Sequence, residues 1–162
     1  MKLGITGHRP KALGCGYEIP NPTYTKITQA LKDKFLYLNV NTIISGMALG
    51  VDWYAALTAI ELGIPFIAAV PFEGQDKMWP EKSKKEYANL LKAAKEVVIV
   101  SPGSYSPEKM QIRNQWMVDN SDALCAVWNG EKGGTGNCVQ YAQAQILKRP
   151  GYIIHRINPS TL

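Results

Sequence analysis

The residues of this chain best suited to chemistry lie in one run, Asn129-Gly130-Glu131-Lys132-Gly133-Gly134-Thr135-Gly136-Asn137. Glycines let the backbone turn tightly and put no Cβ in the way of a ligand. The N–H groups of such a loop, with the positive end of a following helix, make a site that favours phosphate. Thr135 adds a hydroxyl donor. Trp128, just before the run, is the best placed of Trp53, Trp79, Trp116 and Trp128 to stack on a base. The same run also reads as a plain turn between a strand and a helix.

Other clusters follow apolar runs in the same way. Gly7-His8-Arg9 comes directly after Leu3 to Thr6, and Arg9 can fork onto a phosphate or carboxylate. His8 has acid–base chemistry but no identifiable carboxylate partner. Ser45-Gly46 with Gly50 opens a predicted helix, and Asp52 falls in its first turn. Asp52 either complements the helix dipole or accepts hydrogen bonds from a ribose or a loop. Pro71-Phe72 and the acidic Glu73 and Asp76 follow a third apolar run. Glu73 is placed to bind ribose hydroxyls or act as a base, or else is a solvated carboxylate.

The elements that must position these loops are legible from periodicity. Strands are predicted at Leu3 to Thr6, Thr42 to Ile44, Pro65 to Val70, Glu96 to Val100, Leu124 to Trp128 and Tyr152 to Ile157. Helices are predicted at Tyr24 to Leu38, Val51 to Leu62, Glu81 to Ala94, Pro107 to Ser121 and Val139 to Leu147. Gly63 stops the second helix, and Ser106 with Pro107 suits the start of the fourth. Residues 11–23 read as a long loop. Alternating apolar strands and helices predict an α/β fold, a doubly wound and mostly parallel sheet with helices on both faces. Ligands bind such sheets beyond the carboxyl ends of the strands, so the four loop clusters should share one edge.

Composition narrows the class. The 162 residues suit one domain, residues 1–162, and a hydrophobic share of 46% argues against disorder. No apolar run is long enough to span a bilayer, and the N-terminus turns polar too soon for a signal peptide, so a cytoplasmic protein without a membrane partner is expected. The net charge is +5, but the lysines are scattered on helix faces with no interleaved aromatics. Anionic small molecules rather than nucleic acid are the expected partners. Cys15, Cys125 and Cys138 lack metal-ligand spacing, so no metal and no cofactor is assigned; Cys125 reads as a core thiol, while Cys15 or Cys138 can be accessible. No loop matches the dinucleotide fingerprint or the Gly-Lys-Ser/Thr phosphate loop.

Several motifs taken in order carry a resemblance. They are Thr6-Gly7-His8-Arg9-Pro10, Ile44-Ser45-Gly46-Met47-Ala48-Leu49-Gly50-Val51-Asp52, Val70-Pro71-Phe72, Arg113-Asn114-Gln115-Trp116-Met117 with Asn120-Ser121-Asp122, and Gly133-Gly134-Thr135-Gly136. Together they resemble the SLOG superfamily of Rossmann-like domains, which includes DprA/Smf and the LOG enzymes, and within it the YpsA-like (YspA-like) branch. The resemblance covers roughly residues 3–157. It implies a nucleotide-binding Rossmann-like domain, raises Arg113 and Asn114 to site residues, and makes a homo-oligomer a reasonable expectation. LOG enzymes carry Pro-Gly-Gly-x-Gly-Thr-x-x-Glu with a catalytic glutamate. Here Lys132 replaces the proline, Asn137 the threonine and Gln140 the glutamate.

The reading that follows is a module that senses or sequesters a nucleotide or ADP-ribose-like ligand. Its expected binding residues are Gly7, His8, Arg9, Ser45, Gly46, Gly50, Pro71, Phe72, Arg113, Asn114, Trp128, Asn129, Gly133, Gly134, Thr135 and Gly136. The alternative is a nucleotide N-glycosidase or deoxyribosyltransferase in which Glu73 or Asp52 stands in for the missing glutamate. Single-stranded DNA binding is a third reading.

Overall fold

A computed structural model describes all residues, Met1–Leu162. Six strands form a single parallel sheet: β1 (Lys2–Gly7), β2 (Thr42–Ser45), β3 (Phe66–Val70), β4 (Glu96–Ile99), β5 (Ala123–Val127) and β6 (Ile153–Ile157). Their spatial order is β4-β3-β2-β1-β5-β6. The chain lays β2, β3 and β4 to one side of β1, then returns to place β5 and β6 on the other. Strand order therefore reverses between β1 and β5, where Ile5 pairs with Cys125 and Gly7 with Val127. In open α/β sheets the ligand crevice lies at that point.

Six helices connect the strands: α1 (Pro10–Leu13), α2 (Pro22–Tyr37), α3 (Val51–Leu62), α4 (Glu81–Ala93), α5 (Pro107–Asp119) and α6 (Gly134–Ile146). The largest apolar cluster joins α2, α3 and α4 to one face of the sheet through Ile27, Leu31, Phe35, Trp53, Tyr87 and Leu90. On the other face α5 and α6 pack through Met117, Val118, Cys138 and Ala142. Helix α3 lies between neighbours on nearly every side, and Val51 to Ala56 are all buried. Such a helix has no polar stripe to show.

Three expectations need correction. Residues 11–23 are not all loop, because Pro10 starts the short α1, closed by Gly14 in the left-handed region at φ 71°. The last helix starts at Gly134, ahead of the predicted Val139, so the glycine run supplies its first turn. Glycine disfavours helix by about 1 kcal/mol per residue, which is why periodicity hides this turn. Tertiary contact imposes it: Asn114 Nδ2 donates to the Gly134 carbonyl at 3.3 Å, and a Cβ at Gly136 would stand 3.1 Å from the Glu131 carbonyl. Ser106 occupies the N-cap position of α5, but its hydroxyl bonds the Glu108 carboxylate instead of the helix backbone.

The junction of β1 with α3 is unusually close. Val51 N donates to the His8 carbonyl at 3.1 Å. Gly50 sits at φ 95°, and a Cβ there would lie 2.5 Å from the His8 carbonyl oxygen. Gly50→Ala should therefore cost at least about 2 kcal/mol, combining backbone strain with overpacking. Gly151→Ala, where a Cβ meets nothing within 4 Å, is the control and should stay near neutral. Urea unfolding of both variants measures the difference, and equal midpoints would show that the junction can relax.

Candidate functional site

A cleft of about 480 Å³ opens at the carboxyl end of the sheet, over β1 and its neighbours. That volume falls within the range of small-ligand sites. Thr6, Gly7, His8 and Arg9 enter from the end of β1, and Lys11 and Ala12 from α1. Ala48 and Asp52 come from the β2–α3 connection, and Met110, Arg113, Asn114 and Met117 from α5. The run from Glu131 to Gly136 forms the remaining wall. The charged lining is Arg9, Lys11, Arg113 and Lys132 against Asp52 and Glu131, an excess of cation. No Phe, Tyr or Trp lines it.

Gly133 is the N-cap of α6 and offers no capping side chain, and the first turn carries no acidic residue. The N–H groups at this helix start therefore lack a side-chain acceptor where Gly133 to Gly136 line the cleft, with the positive end of the helix dipole behind them. Thr135 is buried beside them. The loop leading in is braced from outside. His8 Nε2 lies 3.1 Å from the Asn129 N–H and 3.0 Å from Asn129 Oδ1, and that oxygen accepts the Glu131 N–H at 2.9 Å. Trp128 Nε1 donates to the Glu131 carbonyl at 2.7 Å, and the Arg156 guanidinium lies 5.0 Å from the Trp128 ring centroid.

Asp52 and Arg113 make the floor. Asp52 is 6% exposed, and its Oδ2 accepts the Ala48 N–H at 3.2 Å. Ser45 Oγ donates to the Asp52 carbonyl at 2.8 Å and accepts the Met47 N–H at 3.2 Å. These bonds hold Met47 in the left-handed region at φ 62°. Arg113 is 5% exposed, and its Nη1 donates to the carbonyls of Gly46 at 2.6 Å and Ala69 at 3.3 Å. A Cβ on Gly46 would sit 2.4 Å from Nη1 and 2.9 Å from Asp52 Oδ2, so only glycine fits between the two charges. Burial pushes the Asp52 carboxyl above its ordinary range, opposed in part by Arg113, the Ala48 N–H and Arg9. Burial pushes the Arg113 guanidinium down, opposed mainly by Asp52.

The cleft thus gathers Gly7, His8, Arg9, Asp52, Arg113, Asn114, Gly133, Gly134, Thr135 and Gly136 from the sequence expectation. It does not gather the others. Ser45, Gly46 and Gly50 are buried beneath the lining, where they shape the β2–α3 turn. Pro71 and Phe72 are buried away from it, Phe72 packing edge-on against Tyr105 at 5.4 Å. Glu73 is exposed outside the cleft, so it cannot reach a ligand held there. Trp128 and Gln140 line a neighbouring groove on the far side of the loop, and Asn129 lines another beside α2. Cys138 is fully buried, its thiol pushed up to about 11, which removes it as an accessible group. Thr6, Lys11, Ala12, Ala48, Met110, Met117, Glu131 and Lys132 were missed as lining residues. For Lys11 and Ala12 the Arg9-Pro10 step, a proline at the first helical position, was the available signal.

The raised Asp52 carboxyl has a pH consequence. Between its unfolded value near 4 and the higher folded value, the native state binds the extra proton, so stability falls as pH rises through that window. Asp52→Asn keeps an oxygen for the Ala48 N–H and removes the titration. Urea midpoints from about pH 4 to 7 should decline for the native sequence and stay flatter in the variant. Identical slopes would place the titration elsewhere.

Comparison with known proteins agrees with this architecture. Residues 3–162 match the family model described as the YspA SLOG family. The uncharacterized SPbeta prophage-derived protein YoqJ of Bacillus subtilis is 37% identical, covering 86% of this chain and 91% of its own. A UPF0398 protein of Bacillus thuringiensis is 30% identical over 82% of this chain and 77% of its own. Among solved structures, DNA processing protein A from Streptococcus pneumoniae superposes with a TM-score of 0.70 at 18% identity, covering 97% of this chain; the match spans 50% of that longer protein. A molybdenum cofactor binding protein from Rippkaea orientalis gives 0.57 at 19% identity, over 97% of this chain and 77% of its own. At those identities the structures speak for the fold alone. With the family model matched along almost its whole length, the chain belongs to the YspA SLOG family.

Proposed function

We propose that the cleft binds a phosphorylated, nucleotide-derived ligand of the nucleotide or ADP-ribose kind, as a sensing or sequestering module. The observation that carries this reading is the start of α6, uncapped by any side chain, opening into a cleft lined by Arg9, Lys11, Arg113 and Lys132. Solved proteins of the same fold are described as binding single-stranded DNA and the molybdenum cofactor, which supports a ligand site on this architecture. The ligand's phosphate rests on the N–H groups of the first turn, and Thr135 adds its hydroxyl. Arg9, Lys11 and Lys132, all exposed, draw the anion inward. With no Phe, Tyr or Trp in the lining, a base gains contact from Ala12 and Met110.

An enzymatic reading, N-glycosidic cleavage of a nucleotide, rests on Asp52 alone. Its carboxyl lines the cleft and is the one buried acid there. Against it, Oδ2 is engaged by the Ala48 N–H, and Gln140 stands outside the cleft.

Two experiments test these readings. The first is thermal shift with nucleotides, NAD, ADP-ribose and cyclic nucleotides, followed by chromatography of the same mixtures. A ligand at a hundred times its dissociation constant adds about 2.7 kcal/mol, or roughly 5–10 °C for a domain of this size. Recovery of the ligand intact supports binding, whereas release of free base establishes the enzymatic reading. The second uses Gly134→Asp, a position where a Cβ meets nothing within 4 Å. A carboxylate in the first turn favours the helix dipole by about 0.3–1 kcal/mol, yet it occupies the anion site. Affinity should fall at least tenfold while stability holds or rises; unchanged affinity would move the phosphate off α6.

A further inference from the structure

Arg113 is the one cation of the cleft that is buried, and only half of its guanidinium is used by the protein. Nη1 is spent on the carbonyls of Gly46 and Ala69. Nε is shielded from solvent and has no hydrogen-bond partner. Nη2 makes no hydrogen bond to the protein either, and no ion pair of the structure includes Arg113. In a guanidinium Nε–H and one N–H of Nη2 point the same way, and this edge is the fork that receives two oxygens of a carboxylate or phosphate. Asp52 does not fill it: its carboxylate comes no closer than the ion-pair limit and bonds the Ala48 N–H instead. A buried charged donor without a partner costs more than a neutral one, so an oxyanion on that edge recovers that cost.

The fork and the helix start are two places. The carbonyls that clamp Nη1 follow β2 and lie within β3, whereas α6 follows β5, and β1 runs between them. Neighbouring strands are about 4.8 Å apart, so β2 and β5, the strands that lead into the two anchors, lie roughly 10 Å apart with β1 between them. The route between them is lined by Thr6 and Gly7 at the end of β1, without an intervening acidic side chain from that strand. Asn114, next to Arg113 on α5, ties the two together through its bond to the Gly134 carbonyl.

We propose that the cleft holds two anionic groups of one ligand at once, one on the N–H groups that begin α6 and the other on the Nε and Nη2 edge of Arg113, which makes its ligand class a diphosphate ester rather than a monophosphate. This rests on the reading of the cleft as a site for phosphorylated ligands. Arg113 acts here as a specificity-determining residue: it counts phosphates. The exposed Arg9, Lys11 and Lys132 attract any anion and set no such count. The Asp52 carboxyl on the same floor opposes a second negative charge, so the gain depends on the fork's geometry rather than on net charge alone.

The test is a set of calorimetric titrations of the full chain with orthophosphate, pyrophosphate, AMP, ADP and ADP-ribose. Pyrophosphate, ADP and ADP-ribose should bind at least tenfold tighter than orthophosphate and AMP. Arg113→Lys keeps the charge and removes the fork, so it should shrink the ADP-to-AMP preference to about threefold or less. AMP binding within twofold of ADP in the native protein overturns the proposal, as does equal weakening of both in Arg113→Lys. Should that variant fail to fold, the native ratio of pyrophosphate to orthophosphate decides alone, and equal affinities count against two subsites. Binding without discrimination removes only this inference, whereas no binding by any phosphorylated compound removes the cleft reading with it.

Discussion

The close approach of β1 to the start of α3 is the constraint on which the other features depend. Gly50 lets the backbone pass the His8 carbonyl at a distance no side chain would permit, and a Cβ on Gly7 would fall 2.4 Å from Val51. That contact fixes the direction in which His8 and Arg9 leave the sheet. It also sets where α1 begins, since Pro10 is buried against the same junction. With β1 at the middle of the sheet and strand order reversing beside it, the loops of both halves converge above its end. The cleft follows from topology, and the glycines make it deep.

Electrostatics then divides the cleft into a mouth and a floor. At the mouth Arg9, Lys11 and Lys132 are solvated, and solvent screening leaves each of them a modest local effect. At the floor Asp52 and Arg113 are buried on either side of Gly46 and shift each other's protonation in opposition to the larger influence of burial. Neither charge is neutralised by a short ion pair; each is satisfied in part by backbone, Asp52 by an N–H and Arg113 by carbonyls. The same bonds hold the β2–α3 turn in its left-handed step at Met47, so the polar floor is also a structural clamp. A residue here serves fold and site together, and variants need a stability measurement beside the binding one.

Much of the architecture was legible in the sequence. Continuous apolar runs such as Phe66 to Val70 and Ala123 to Val127 are buried at every position, as parallel strands covered on both faces must be. The α3 bounds, Val51 to Leu62, follow from Gly50 before and Gly63 after, since local stereochemistry dictates both ends. The glycine run could be singled out as a candidate because its chemistry lies in its own backbone. What periodicity could not show is that the run is already helical, because glycine's local preference opposes the helix, while the Asn114 bond to Gly134 supports it and the crowding of Gly136 by Glu131 and Trp128 leaves little room for a larger residue.

The fate of single side chains was decided in three dimensions. Glu73 and Asp52 both follow apolar strands in the sequence, yet Asp52 turns inward on a buried helix and Glu73 stands in solvent outside the cleft. Arg113 lies in the middle of a helix where a solvated arginine is the ordinary outcome. It is buried because α5 packs across the sheet, where the carbonyls of Gly46 after β2 and Ala69 in β3 accept from its guanidinium. Trp128 adjoins the glycine run, but its indole N–H is drawn to Glu131 and its ring to Arg156, away from the cleft. Sequence alone determined the six strands and the five longer helices, though neither α1 nor the first turn of α6, because those elements depend on residues near one another in the chain. Tertiary structure decided which charges are buried and which donors stay unpaired, because both depend on groups brought together from opposite sides of β1.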